Sequence, residues 1–313
     1  MLVEEELARV SPAGETLLTI GVFDGVHLGH QHLISQLVKR AKQQSLLSGV
    51  VTFRQHPQDY FSPETRLPLL TDMGERTALL KKEGVDLIVP LSFNTELAGL
   101  SARKFIRLLQ EHLRLRGLVV GPDFALGRNR EGDVPALQQF GREMGFSVSV
   151  VVPLNLEGEV VSSTAVRRAI ATGDMEKARR LMGRPFSLEG KVVTGTHRGM
   201  ELGFPTANLG LNQEQVLPAE GVYASWASVN SKTYLAMTNI GTNPTFNGRE
   251  CTAEVYLIDY QGDLYGQELK VDMVKRLRGE KKFGSAEALK EQIAQDVAKG
   301  KEILSVELKG QKP

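Results

Sequence analysis

The stretch "TIGVFDGVHLGHQHL", residues 19–33, sets three glycines and three histidines where one periodicity gives way to another. Before it, "TLLTIGVF" (16–23) is a short, continuous apolar run, the pattern of a buried strand. After it, "HQHLISQLVKRAKQQ" (30–44) carries Leu33, Leu37 and Ala41 at helical spacing, with Ile34 and Val38 beside them. Gly25 and Gly29 allow a tight backbone between the two, so the helix begins close to His30. A strand-to-helix turn presents unpaired N–H groups and the positive end of a helix dipole, which together attract an anion. With three residues between them, His27 and His30 face the same small volume, and imidazole N–H groups are good donors to phosphate oxygens. The alternatives are a surface role for the histidines or a zinc site drawn from His27, His30, His32 and His56. No cysteine lies near to complete the usual four ligands.

The same strand-then-helix rhythm runs outward from this turn. "GVVTF" (49–53), "DLIVPLSF" (86–93), "GLVVG" (117–121) and "FSVSVVVPL" (146–154) read as strands. "DMGERTALLKKEG" (72–84), "ARKFIRLLQEHLRL" (102–115) and "ALQQFGREMG" (136–145) read as helices, the first with Asp72 as N-cap and Glu75 three residues on. Such alternation means crossovers and a doubly wound, mostly parallel α/β sheet. The unbroken hydrophobicity of "GLVV" and "SVVVPL" predicts strands covered on both faces.

After "LMGRPFS" (181–187) the rhythm changes. "LEGKVVTG", "GVYASWASV", "TYLAMTNIG", "CTAEVYLIDY" and "QELKVDMVKRL" are short strands separated by Gly, Pro, Asn and Asp, which predicts an antiparallel sheet or a small closed barrel. One amphipathic helix, "SAEALKEQIAQDVAKGKEIL" (285–304), follows, with Ser285 as N-cap. The break near Arg184–Pro185 predicts two domains, 1–184 and 185–313. A length of 313 residues agrees with two cores.

The net charge is +1, so nothing here resembles the basic excess of a nucleic-acid binder, and none is expected as a partner. A single cysteine, Cys251, excludes an intrachain disulfide and fits a cytoplasmic protein. "MLVEEELARV" is acidic and no window is long and apolar enough for a membrane span, so no membrane association is expected. A monomer or weak homo-oligomer is expected.

A second element completes the first site. "VSSTAVRRAIATGD" (161–174) places Ser162, Ser163 and Thr164 before a helix that carries Arg167 and Arg168, again an anion-binding arrangement. Alone, "SST" is only a good helix cap. Together, "GVFDGVHLGH" and "VSSTAVR" resemble the HxGH nucleotidyltransferases. "VVGPDFALGRNREGD" (119–133) and "TFRQHP" (52–57) narrow the resemblance to the FMN adenylyltransferase module of bifunctional bacterial riboflavin kinase/FAD synthetases, and "GFPTANL" (203–209) resembles the kinase signature of the same family. The likeness covers almost the whole chain, with the motifs in the family's order.

The resemblance implies two activities: riboflavin and ATP to FMN, then FMN and ATP to FAD and pyrophosphate, both with Mg²⁺. It implies a six-stranded antiparallel barrel for the second domain. His27 and His30 would grip the ATP phosphates, with Ser162, Ser163, Thr164 and Arg167 on the far side. Gly21, Phe23, Asp24, Gly29 and Asp123 would belong to the same nucleotide site. In "TGTHRGMELGFPTANLGL" (194–211), Gly195, Arg198, Gly199, Gly203 and Pro205 would shape the kinase's nucleotide loop, although no Walker "GK[ST]" follows. Thr206 and Asn208 would hold the magnesium. Glu254, which shares a strand face with Tyr256 and Ile258, would be the kinase's base. Arg278 and Phe283 in "RLRGEKKFGS" (276–285) would cover the nucleotide.

Met200, Asn243 and Leu126 depart from residues common in relatives. The rivals are another nucleotidyltransferase of the superfamily, against which the C-terminal half speaks, and a non-catalytic flavin-sensing or RNA-binding regulator, against which the intact site residues and near-zero charge speak.

Overall fold

A computed structural model describes residues 3–62, 64–195, 202–245 and 248–310, with 243–245, 248–250 and 307–310 as backbone only. The chain divides into two compact units, 1–163 and 164–313.

The first unit opens with a short helix α1 (Val3–Ala8) and strand β1 (Thr16–Ile20), then α2 (Leu28–Gln43), β2 (Leu47–Phe53), α3 (Pro57–Phe61), α4 (Met73–Lys82) and β3 (Leu87–Leu91). It continues through α5 (Thr95–Gly99), α6 (Ala102–Leu113), β4 (Leu115–Val120), a small ribbon of β5 (Ala125–Leu126) and β6 (Gly132–Asp133), α7 (Val134–Met144) and β7 (Ser147–Val150). A second ribbon, β8 (Asn155–Leu156) and β9 (Glu159–Val160), follows. The five main strands form one sheet in the order β3-β2-β1-β4-β7, every pairing parallel.

Alternation along β1 explains how two helical layers attach. Leu17 joins the core formed with Ile34 and Leu37 of α2 and Leu80 of α4. Its neighbour Leu18 faces the other way, into a core with Ile106 and Leu109 of α6 and Leu137 of α7. Asp72 caps α4 by accepting the Glu75 N–H at 2.7 Å, as its sequence predicts. α1 was not legible as a helix. Its Glu6 is buried and accepts from Ser92 N and Oγ at 2.8 and 2.7 Å, which ties the helix to the end of β3.

One expectation is corrected. β7, the edge strand of the sheet, is not covered on both faces: Val150 at its end is 39% exposed, and Val152, just beyond it, 78%. An apolar run reports strand character, not whether a helix covers each face of the strand.

The second unit holds α8 (Ser163–Ala171, beginning at the division) and α9 (Met175–Met182), then β10 (Phe186–Val193), β11 (Ala207–Leu209), β12 (Gly221–Val229), β13 (Lys232–Thr245), β14 (Gly248–Leu257), β15 (Glu268–Arg278) and a long helix α10 (Ala286–Gly310). The strands close into a six-stranded antiparallel barrel, β10-β11-β14-β13-β12-β15. Ser285 caps α10, accepting from Ala288 N at 3.2 Å. Ile303 and Leu304 of α10 pack on Ala224, Trp226 and Val274 of the barrel. The α8–α9 hairpin also attaches there: Ala219 N donates to Ile170 O at 3.4 Å and Lys275 pairs with Glu176 at 3.1 Å. A Cβ on Gly173, which has φ +79, would strike Arg276 at 2.6 Å and Tyr223 at 3.0 Å.

Candidate active sites

The turn after β1 is built from backbone conformations that L-residues rarely adopt. Phe23 and Val26 have φ of 54° and 36°, and Gly25 has φ of 80°. Strain of this kind persists where surrounding contacts impose it. Gly25 N donates to Thr71 Oγ1 at 3.0 Å, and Phe23, only 3% exposed, lies edge-on to His30 with centroids 5.2 Å apart. α2 then starts with His27 as its N-cap, its Nδ1 accepting the His30 N–H at 3.3 Å. An accepting Nδ1 leaves the proton of a neutral His27 on Nε2. The rings of His27 and His30 stack at 3.7 Å and 16°. A Cβ on Gly29 would lie 2.7 Å from Val161 O and 3.1 Å from the His27 ring, so only glycine fits there. Gly21 is similarly confined, its absent Cβ facing the Phe23 ring at 3.1 Å.

His27, Gly29, His30, Gly121, Ser162 and Ser163 meet around a cavity of about 270 Å³. Both sequence elements of the expected site therefore supply its wall. Ser163 Oγ also donates to Asp24 O at 3.0 Å, which fixes the second element against the first. Thr164, exposed, and Arg167, half-buried, stand further along α8 in the second unit. Asp123 is exposed on the loop after β4 and outside the cavity lining; its backbone O accepts from Arg130 at 3.0 Å. His56 is used as the N-cap of α3, accepting from Gln58 N at 3.1 Å.

Asp24 is placed differently from expectation. Its side chain is 2% exposed and turned into the protein, where Leu70 N donates to both carboxylate oxygens at 3.0 Å and Thr71 N to Oδ1 at 3.1 Å. Arg76 lies 3.6 Å away and itself donates to Phe53 O at 3.0 Å. Asp24 thus ties the turn after β1 to the segment before α4. Arg76 had no signal in the sequence beyond its place on the inner face of α4.

The barrel supplies a second, larger cavity of about 680 Å³, with Thr206, Asn239, Glu254, Tyr256, Arg278 and Phe283 among its lining residues. Strand register builds it. Asn208 on β11 lies opposite Glu254 on β14, and Glu254 lies opposite Asn239 on β13. Directly opposed residues of antiparallel strands project from the same face, so three polar side chains stand in a row. Ala253, Val255 and Leu257 occupy the buried face of β14. Asn239 was missed in the sequence; its alternation with the buried Thr238 and Ile240 was available, but its register with Glu254 was not. A Cβ on Gly195 would overlap the Asn208 amide at 1.9 Å, so the chain passes close over that side chain. Gly203 takes φ +85, and Pro205 lines a neighbouring cavity of about 180 Å³ that shares Thr206. Phe204 meets Tyr256 edge-on at 5.5 Å. Arg198, Gly199 and Met200 lie outside the described residues, as does the side chain of Asn243.

Thr206 and Glu254 line the cavity, and Asn208, outside the lining, stands opposite Glu254 in register. Their hydroxyl, carboxylate and amide oxygens are hard donors of the kind a divalent cation accepts beside nucleotide phosphates. A parallel sheet with a paired-histidine cradle at a strand-to-helix turn, followed by a barrel with its own polar cleft, defines a two-site nucleotide-dependent transferase. The family model for FAD synthetase matches residues 10–165, and that for riboflavin kinase matches residues 182–304. Bifunctional riboflavin kinase/FMN adenylyltransferases of Pseudomonas fluorescens and Escherichia coli (strain K12) are 42% and 39% identical, the alignments covering 90% and 95% of both chains. A solved structure described as a macrolide-efflux protein from Streptococcus pneumoniae superposes with a TM-score of 0.87 at 32% identity, over 93% of this chain and 95% of that one. The chain belongs to the family of bifunctional riboflavin kinase/FMN adenylyltransferases. It phosphorylates riboflavin to FMN and adenylylates FMN to FAD, using ATP with a divalent metal. Among the described residues no helix is long and apolar enough to cross a membrane.

Proposed function

We propose that each half-reaction belongs to one of the two cavities and that the functional boundary falls near Arg184–Pro185. In the first, a phosphate oxygen of FMN attacks the α-phosphorus of ATP, and the α–β bridging oxygen leaves with pyrophosphate. A phosphomonoester with a second pKa of about 6 is already ionised at neutral pH, so no base is required. The work is alignment and charge neutralisation. His27 and His30 meet the charge on the leaving pyrophosphate, backed by Ser162, Ser163, Thr164 and Arg167.

The second cavity acts on an alcohol, which must lose a proton. Glu254 takes it from the riboflavin 5′-hydroxyl as that oxygen bonds to the γ-phosphorus and ADP departs. Thr206 and Asn208 would hold Mg²⁺, whose charge would offset that on the phosphates. Arg278 and Phe283 cover the nucleotide. The protein works in the cytoplasm, without nucleic acid, as a monomer or weak homo-oligomer.

The observation that carries the reading is the register Asn208–Glu254–Asn239. It puts the one carboxylate of that row beside the donors proposed for the metal. The experiment is to incubate the protein with riboflavin, ATP and Mg²⁺ and separate the flavins, for the parent and for His27→Ala and Glu254→Gln. His27→Ala should stop at FMN. Glu254→Gln should convert riboflavin about 10² or more slower yet make FAD from supplied FMN at the parental rate. The opposite pattern would reverse the assignment.

A further inference from the structure

The terminal helix α10 forms part of the kinase cavity's wall. Leu289, Ile293 and Val297 recur at helical spacing along the lining face, and the acid Asp296 stands among them. A carboxylate that is 6% exposed on an otherwise apolar helix face costs desolvation unless it is paired. Its partner comes from the end of β15. Arg278 Nε donates to Asp296 Oδ2 at 2.9 Å, and Arg278 Nη2 reaches the same oxygen at 2.9 Å. Gln292, one turn earlier on α10, donates to Asp296 Oδ1 at 3.2 Å and fixes the carboxylate's orientation.

Arg278 is the last residue of β15, where the chain leaves the barrel for the loop 279–285. Its Nη1 donates to Gly279 O at 3.0 Å, and its guanidinium stands over the Phe283 ring at 5.7 Å. Lys281 stands near that ring at 5.6 Å. One guanidinium therefore touches the helix, the first residue of the loop and the loop's aromatic. Its flexible side chain would have many rotamers without a fixed anchor.

We infer that Asp296 is a positioning residue for riboflavin phosphorylation: it holds Arg278, and through Arg278 the loop 279–285, over the nucleotide end of the cavity. The inference rests on the reading of Arg278 given above. It predicts a nucleotide effect transmitted through one side chain, where a merely structural Asp296 would lower stability without changing KM.

The test is a double-mutant cycle in kinetics. Arg278→Ala, Asp296→Ala and the double variant are assayed for riboflavin phosphorylation at varied ATP, well below each melting temperature. A charge-assisted hydrogen bond worth about 1.5–3 kcal/mol converts to a rise in KM for ATP of about tenfold or more in Asp296→Ala. With Arg278 already removed, Asp296→Ala should add nothing, because its route of action is gone. Should Asp296→Ala fail to fold, Asp296→Asn and Arg278→Lys carry the same cycle, the first keeping size and one acceptor, the second charge without the planar fork. Parental kinetics in the Asp296 variants would overturn the inference, as would effects that add in full. Parental kinetics in Arg278→Ala, with a defect in Asp296→Ala, would sink the reading of Arg278 itself and leave Asp296 acting by another route.

Discussion

The guanidinium of Arg76 lies 3.6 Å from the carboxylate of Asp24, a residue of the turn that leads to His27 and His30, with the two side chains 1% and 2% exposed. Arg76 also donates to Phe53 O and Thr71 O, at 3.0 and 3.3 Å. The pair therefore joins the turn after β1, the end of β2 and the approach to α4. Removing one member of a buried pair strands the other charge and typically costs about 3–5 kcal/mol. Arg76→Leu should thus lower the melting transition of the first unit by several degrees or more, and FAD formation should fall with it. The double replacement Asp24→Asn with Arg76→Met should recover much of the melting temperature. Calorimetry checks both; a parental melting profile for Arg76→Leu would show that the pair is not under tension of this kind.

His27→Ala and His30→Ala should each reduce FAD formation by about 10² or more, the usual cost of losing one preorganised contact to developing charge. FMN formation should be spared. Gly29→Ala should act in the same direction, since its Cβ has Val161 O at 2.7 Å and the His27 ring at 3.1 Å. Flavin chromatography after incubation with FMN and ATP reads all three, and undiminished FAD in both histidine variants would remove the motif from the chemistry.

Tyr223 gives the barrel a pH signature. Burial pushes its phenol up to about 12 from 10.0, the nearby Arg276 opposing, and its hydroxyl donates to Ala219 O. A raised folded pKa means that the protonated form is favoured on folding. The contribution is complete below pH 10 and is lost as pH rises towards 12, up to about 2–3 kcal/mol. Tyr223→Phe should be less stable than the parent at pH 8, by about 1 kcal/mol for the lost hydrogen bond. The gap should close and reverse in alkali. A gap that stays constant to pH 12 would contradict the account.

The kinase half should work alone. A fragment of residues 185–313 should make FMN from riboflavin, and a fragment of 164–313 should do so with a higher melting temperature. The longer piece keeps α8 and α9, whose Ile170 O accepts from Ala219 N and whose Glu176 pairs with Lys275. A cooperatively folded 185–313 without kinase activity would refute two self-contained sites.

Sequence patterning made some of this legible and left the rest hidden for physical reasons. The turn at 19–33 announced both its strand and its helix, because apolar periodicity and glycine placement are local properties. The change of rhythm after residue 184 announced the barrel in the same way. The inward turn of the Asp24 carboxylate was hidden because its partners Leu70 and Thr71 lie 46 and 47 residues away. No local pattern shows which loop a carboxylate will reach. Asn239 and Asp296 were hidden for a related reason: register and helix docking decide what faces a cavity, and both are set by tertiary packing. The exposed edge at β7 belongs with these, since strand order is a global property.

The two proposed steps differ in one respect: riboflavin phosphorylation needs a proton acceptor and adenylylation of FMN does not. Glu254→Gln keeps size and shape, so the barrel should fold and bind ATP. Its kcat for riboflavin phosphorylation should fall by about 10² or more with little change in KM, since general-base catalysis contributes ~10²–10⁴. FAD formation from supplied FMN should be nearly unchanged, because that nucleophile is already an anion. Steady-state kinetics of both reactions on the one variant make the comparison directly. Phosphorylation at the parental rate, or an equal loss in both reactions, would contradict the account.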